Sequence, residues 1–118
     1  MEFEVRNSTE SALLHYKYGL GLFTEKMPKL AEQFNSFTEE CFKEGTLSKK
    51  QKQLIALGIS LYSQDEYCII YPENKGCLDQ GASEQEIFEA VGVTAAFRGG
   101  TMSQAVTLVQ ECMQELLQ

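Results

Sequence analysis

The sequence predicts an all-α fold, a bundle of six helices, on three observations. Apolar residues recur at steps of three and four through most of the chain. Capping signatures of Ser or Asn followed three residues later by Glu or Gln precede the apolar runs, at Asn7 with Glu10, Ser48 with Gln51 and Ser83 with Glu86. The one segment with strand-like composition, Tyr67 to Tyr71, has no second strand pattern to pair with, so a helix is the expectation there too.

Residues 1–7 read as a loose arm. The first helix follows, with Ala12, Tyr16, Leu20 and Phe23 on one face; Gly19 and Gly21 each cost about 1 kcal/mol in a helix interior and predict a bend or an early end. Met27-Pro28 marks a break, since proline suits the first turn of a new helix. The second helix has the clearest stripe of the N-terminal half, Leu30, Phe34, Phe37 and Cys41, and Gly45 is placed to stop it. A third helix runs from Ser48 through Leu54 to Tyr62 and is apolar on nearly every side, so it needs cover from several directions.

A fourth helix is expected from Asp65 as cap, with a kink or restart at Pro72, because proline removes a helical hydrogen bond. The fifth opens on Ser83, buries Ile87, Ala90, Val91, Thr94 and Ala95, and ends at Gly99-Gly100. The sixth starts near Thr101, with Met102, Ala105, Val106, Val109, Met113 and Leu116 on one side. No repeat, low-complexity tract or Gly/Ser-rich linker interrupts the 118 residues, so a single domain over 1–118 is expected.

Composition narrows the partners. A net charge of −7 argues against nucleic acid and anionic membranes, which require a cationic surface. No apolar stretch is long enough to span a bilayer, and the start, with Glu2, Glu4 and Arg6, lacks the basic and apolar regions of a signal peptide, so a cytoplasmic protein is expected. Cys41, Cys68, Cys77 and Cys112 are widely spaced, with His15 the sole histidine; no metal or other cofactor is expected, and a reducing cytosol would keep the cysteines as thiols. Cys41 and Cys112 lie on apolar stripes and Cys77 lies between Gly76 and Leu78, so all three read as packing residues. His15 reads as a surface or half-buried side chain, and Arg98 as a favourable charge at a helix C-terminus that could bind an anion at a subunit interface.

The order of features from Leu47 to Gly100 resembles the shared half of the alkylhydroperoxidase D-like, or carboxymuconolactone decarboxylase, family. These features are Leu47-Ser48-Lys49-Lys50-Gln51, the apolar run to Tyr62, Asp65-Glu66-Tyr67-Cys68, Ile69-Ile70-Tyr71, Gly81-Ala82-Ser83 and the helical pattern before Gly99-Gly100. The resemblance implies an all-α subunit of a trimeric or hexameric homo-oligomer. That assembly would also cover the apolar third helix and the Thr94-Ala95-Ala96-Phe97 end of the fifth.

It further implies a site in which a glutamate relays protons, a CxxC pair performs thiol chemistry and a histidine follows four residues after the second cysteine. Cys68 matches the second cysteine, which attacks peroxide in the family; Asp65 stands at the first cysteine, Gln53 at the glutamate and Pro72 at the histidine. The spacing from Cys68 to Gly81 is one residue longer than the family pattern, which leaves Glu73 as a candidate for the histidine's role. An unbroken helix would hold Cys77 about 13 Å from Cys68, beyond the roughly 7 Å between Cα atoms that a disulfide spans. Cys77 can then resolve an oxidised Cys68 only if the Pro72 region folds back; otherwise resolution falls to an outside thiol or to a cysteine of another subunit.

Three functions follow from these residues. The first is an alkylhydroperoxidase-like, antioxidant thiol oxidoreductase acting through Cys68 on a peroxide, with an external thiol reductant and with Gln53, Asp65, Glu66, Tyr71 and Glu73 as pocket or proton-handling residues. The second is a non-catalytic family member that keeps the oligomer and the pocket for binding or structure. The third is a carboxymuconolactone decarboxylase-like enzyme on a small acidic lactone, with Glu73 or Tyr71 as proton donor.

Overall fold

The computed structural model describes residues 8–63, 74–98 and 103–117. Six helices account for nearly all of them: α1 Ser8–Lys26, α2 Pro28–Phe42, α3 Lys49–Ser63, α4 Asn74–Asp79, α5 Glu84–Arg98 and α6 Ser103–Leu116. Among the described residues there is no strand, and no helix is long and apolar enough to cross a membrane. The all-α expectation holds.

Local chemistry sets most of the boundaries. At α3 the Ser48 N–H donates to Gln51 Oε1 at 2.8 Å and the Gln51 N–H to Ser48 Oγ at 3.1 Å, a reciprocal capping box. At α5 the Ser83 N–H donates to Glu86 Oε1 at 2.9 Å and the Glu86 N–H to Ser83 Oγ at 3.1 Å. The proposed cap at Asn7 lies outside the described residues. Pro28 occupies the first turn of α2. At the other end of α2, Lys52 Nζ reaches across from α3 to the carbonyl oxygens of Cys41 and Lys43, satisfying acceptors that the helix leaves open. Helix α4 ends in a Schellman turn: Gly81 has φ +83°, its N–H donates to Leu78 O, and the Ala82 N–H donates to Cys77 O. Helix α4 begins at Asn74, and both the helix expected from Asp65 and the kink or restart expected at Pro72 fall before it. The segment before it, residues 64–73, lies outside the described residues.

The core is built where α3, α4, α5 and α6 meet. Leu57 and Leu61 of α3, Cys77 of α4, Ile87 and Val91 of α5, and Val109 and Met113 of α6 are buried together, with Ala82 of the α4–α5 turn. Full burial of each large aliphatic side chain among them is worth about 1.5–3 kcal/mol. Of the faces expected for α5 and α6, Ile87, Val91, Thr94, Val109 and Met113 are buried, while Met102 and the side chain of Ala105 lie outside what the structure describes.

Helices α3 and α5 form the most extensive helix pair and run parallel. Lys50 Nζ meets Glu86 Oε2 at 2.8 Å at their N-terminal ends, and Gly58 faces Thr94 midway. At the C-terminal ends Arg98 Nη1 donates to Tyr62 O at 2.8 Å across a separation of 36 positions, the same separation as in the other two pairs. Parallel neighbours need a long return connection, which residues 64–83 supply.

Three expectations in the N-terminal half are corrected. Helix α1 does not end at Gly19 or Gly21 but continues to Lys26. The α2 stripe does not enter the core: Leu30, Phe34 and Phe37 are exposed, and Ala31 is the one buried residue of the helix. Cys41, read as a packing residue, is exposed with the rest of that stripe. The physical reason is that α1 and α2 pair as a hairpin held to the body mainly through α6 and the start of α3, so α2 has no second layer beyond it. The radius of gyration, 14.9 Å, exceeds the roughly 13.5 Å of a compact chain of this length.

Candidate functional site

Of the residues proposed for the site, Gln53 is the one whose surroundings are described. It lies in the first half of α3, half-buried, on the same side as Leu57 and Ser60. That side faces α4. The opposing residue is Gly76: a Cβ built there would stand 2.5 Å from Gln53 Oε1 and 2.8 Å from its Cδ. The amide thus occupies space beside α4 that exists because residue 76 has no side chain. A glycine inside a short helical run is the sequence signal for such close approach, and Gly76 was not singled out from the sequence.

Chemically, Gln53 donates and accepts hydrogen bonds but does not titrate. It can orient a polar group and cannot carry a proton as a carboxylate would. Cys68, Asp65, Glu66, Tyr71 and Glu73 all lie outside the described residues. Of the other cysteines, Cys77 and Cys112 are buried in or beside the core and Cys41 is exposed on α2. The packing assignment therefore holds for Cys77 and Cys112. His15 is exposed, and among the described residues no group of His, Cys, Asp and Glu is arranged to hold a metal ion.

Arg98 ends α5, as expected of a cation at a helix C-terminus. Its guanidinium also lies over the Tyr62 ring, 5.4 Å from the centroid. Sequence spacing alone gave no hint of this bridge to α3.

Across α3 from Gln53, the parallel pair α3/α5 carries an open apolar groove of about 690 Å³. Ile55, Ile59, Tyr62, Val93 and Phe97 line it and are exposed. Gly58 forms part of its floor, and a Cβ there would stand 3.0 Å from Thr94 Oγ1. The groove is thus a consequence of how closely the two helices approach.

The turn at Gly81 and the two capped parallel helices belong to a fold shared with known proteins. The crystal structure of an apo carboxymuconolactone decarboxylase family protein from Legionella pneumophila superposes with a TM-score of 0.85, covering 93% of this chain and 97% of that one at 23% identity, a likeness of fold. A Paracoccus denitrificans protein named "Uncharacterized protein 4 in cox locus" is 32% identical over 81 residues, which span 69% of this chain and 72% of that protein. Residues 28–111 match the model of the carboxymuconolactone decarboxylase family, to which this chain belongs.

Proposed function

We propose that the protein is a homo-oligomeric thiol oxidoreductase of the alkylhydroperoxidase type that reduces small organic peroxides through Cys68 and an external thiol. The observation that carries this reading is the Gln53 amide, kept half-buried against Gly76 at the position where the resembling enzymes hold their proton-relaying acid. The burial of Cys77 and Cys112 supports an outside reductant, because neither sulfur is presented to a surface.

In the proposed step the Cys68 thiolate attacks one peroxide oxygen, forming an S–O bond as the O–O bond breaks. The departing alkoxide takes a proton from solvent and leaves as an alcohol, while Cys68 becomes a sulfenic acid, a two-electron oxidation. One external thiol then displaces water to form a mixed disulfide. A second releases the Cys68 thiol and departs as the oxidised dithiol. The test is peroxide consumption with dithiothreitol: it is expected to be lost in Cys68→Ala and retained in Cys77→Ala and Cys41→Ala. Absence of sulfenic acid on Cys68 after modest peroxide would sink the proposal.

A second reading is a non-catalytic subunit serving binding or structure. It is favoured by the same residue seen differently, since an amide at position 53 does not titrate and cannot relay a proton. It predicts that Cys68→Ser changes neither assembly nor any activity measured.

A further inference from the structure

We propose that Gly76 is a positioning residue for the reaction proposed at Cys68: the space it leaves sets the Gln53 amide so that its N–H groups can donate to the oxygen departing from the peroxide. That role rests on the proposed peroxide reduction, which it deepens by one residue. Its steric half is readable without any activity.

Both backbones are held in place. Leu57, one turn beyond Gln53 on α3, and Cys77, next to Gly76 on α4, are fully buried in the same core cluster. Interiors are too densely packed for either helix to retreat without opening a void. A Cβ built on Gly76 would have as its three nearest atoms the Oε1, Cδ and Nε2 of Gln53, at 2.5, 2.8 and 3.2 Å. The far end of the glutamine is therefore the part that gives way. Glycine weakens a helix interior, and in a helix of six residues the space left to Gln53 is what offsets that weakness.

Shape sets the amide. Among the described residues no hydrogen bond fixes it, so its two N–H donors and its carbonyl oxygen are available to a ligand. In the proposed reduction, negative charge develops on the oxygen that leaves as alkoxide. A neutral donor aimed at that oxygen stabilises the charge in the transition state more than it stabilises the bound peroxide. The benefit depends on placement, since a displacement of about 1 Å can cost about 100-fold in rate.

The test compares wild type, Gly76→Ala, Gln53→Ala and the double variant, all as full chains, in peroxide consumption with dithiothreitol, with circular dichroism confirming that each is folded. Gly76→Ala is expected to lower kcat by up to about 100-fold with KM nearly unchanged, because the hydrogen bond is made in the transition state. Gln53→Ala should lower kcat similarly, and in that background Gly76→Ala should have no further effect. Gly76→Ala combined with Gln53→Asn, whose amide stands one methylene further back, should recover part of the loss. NMR reads the steric half: the side-chain amide signals of Gln53, identified by their absence from Gln53→Ala, are expected to move in Gly76→Ala. Unmoved signals, or an equal loss of rate from Gly76→Ala with and without Gln53, would overturn the role of Gly76 and leave the chemistry at Cys68 standing. A wild type that consumes no peroxide would overturn the proposed function and the catalytic role of Gly76 together, even if the Gln53 signals still moved.

Discussion

Gly76 lies so close to Gln53 that a methyl group in place of its hydrogen would stand 2.5 Å from the Gln53 side-chain oxygen. The relationship ties α4, the first element after residues 64–73, to the polar residue that α3 turns toward it. It makes the two positions energetically dependent on each other.

Gly76→Ala is therefore expected to change sign with its neighbour. In the wild-type background the amide must swing away, and the variant loses about 1 kcal/mol, the low end of the cost of overpacking. With Gln53→Ala already present, the same substitution should gain up to about 1 kcal/mol, because alanine is the better helix former. Urea unfolding of the four chains of this double-mutant cycle measures the coupling. Additive effects would show that the close approach is unimportant.

Gln53→Glu tests the same position chemically. If Cys68 reduces peroxide with only an amide beside the site, restoring a carboxylate supplies the missing proton transfer. The rate should then rise, by as much as the roughly 100-fold or more that a positioned acid contributes. Stopped-flow peroxide decay reads it; an unchanged or lower rate places position 53 outside the reacting centre.

Glycines in α1 and α3 should respond in opposite ways. Gly19 and Gly21 have open space where a Cβ would go, so each change to alanine should stabilise the helix by about 1 kcal/mol. Gly58→Ala puts a methyl 3.0 Å from Thr94 Oγ1, whose hydroxyl already donates to Ala90 O at 3.1 Å. That change should cost about 1–2 kcal/mol by forcing α3 and α5 apart. Thermal melts compare all three.

Glu86 sets an acid-side dependence. Its carboxylate accepts from Lys50 and, second, from the Ser83 N–H, and these hold its pKa below the ordinary value of 4.5. A depressed folded-state pKa adds stability that is fully present above the unfolded value and lost as pH falls below 4.5 through the folded one. The difference in melting temperature between wild type and Glu86→Gln should be constant near neutrality and shrink with acidification across that window. A difference that widens in acid would contradict this sign.

Cysteine labelling checks the packing. Iodoacetamide should modify the exposed Cys41 in the native protein, while the buried Cys77 and Cys112 react only as the protein opens. Mass spectrometry of peptides before and after denaturation distinguishes the sites.

The residues themselves determined the helices. The boxes at Ser48 and Ser83 cap α3 and α5 through neighbours three positions away, and Pro28 and Gly81 act through their own backbone preferences. Such signals are local, so they were legible before any tertiary contact was known. The faces around Ile87 and Val109 were legible as well, because helical spacing marks an apolar side and the core took it. The stripe of Phe34 and Phe37 obeys the same spacing yet points to solvent. Periodicity states that one side is apolar and is silent on what covers it.

Of the candidate site, the position of Gln53 was legible only through resemblance, and its neighbour was not, since the approach of Gly76 depends on how α4 docks onto α3. The Arg98–Tyr62 bridge and the groove beside it likewise arise only when α3 and α5 lie parallel. The chain's local chemistry thus decided where helices begin, where they stop and which side of each is apolar. The tertiary structure alone decided which apolar sides meet, because contacts between residues far apart in sequence depend on the relative placement of whole helices, and no local preference encodes it.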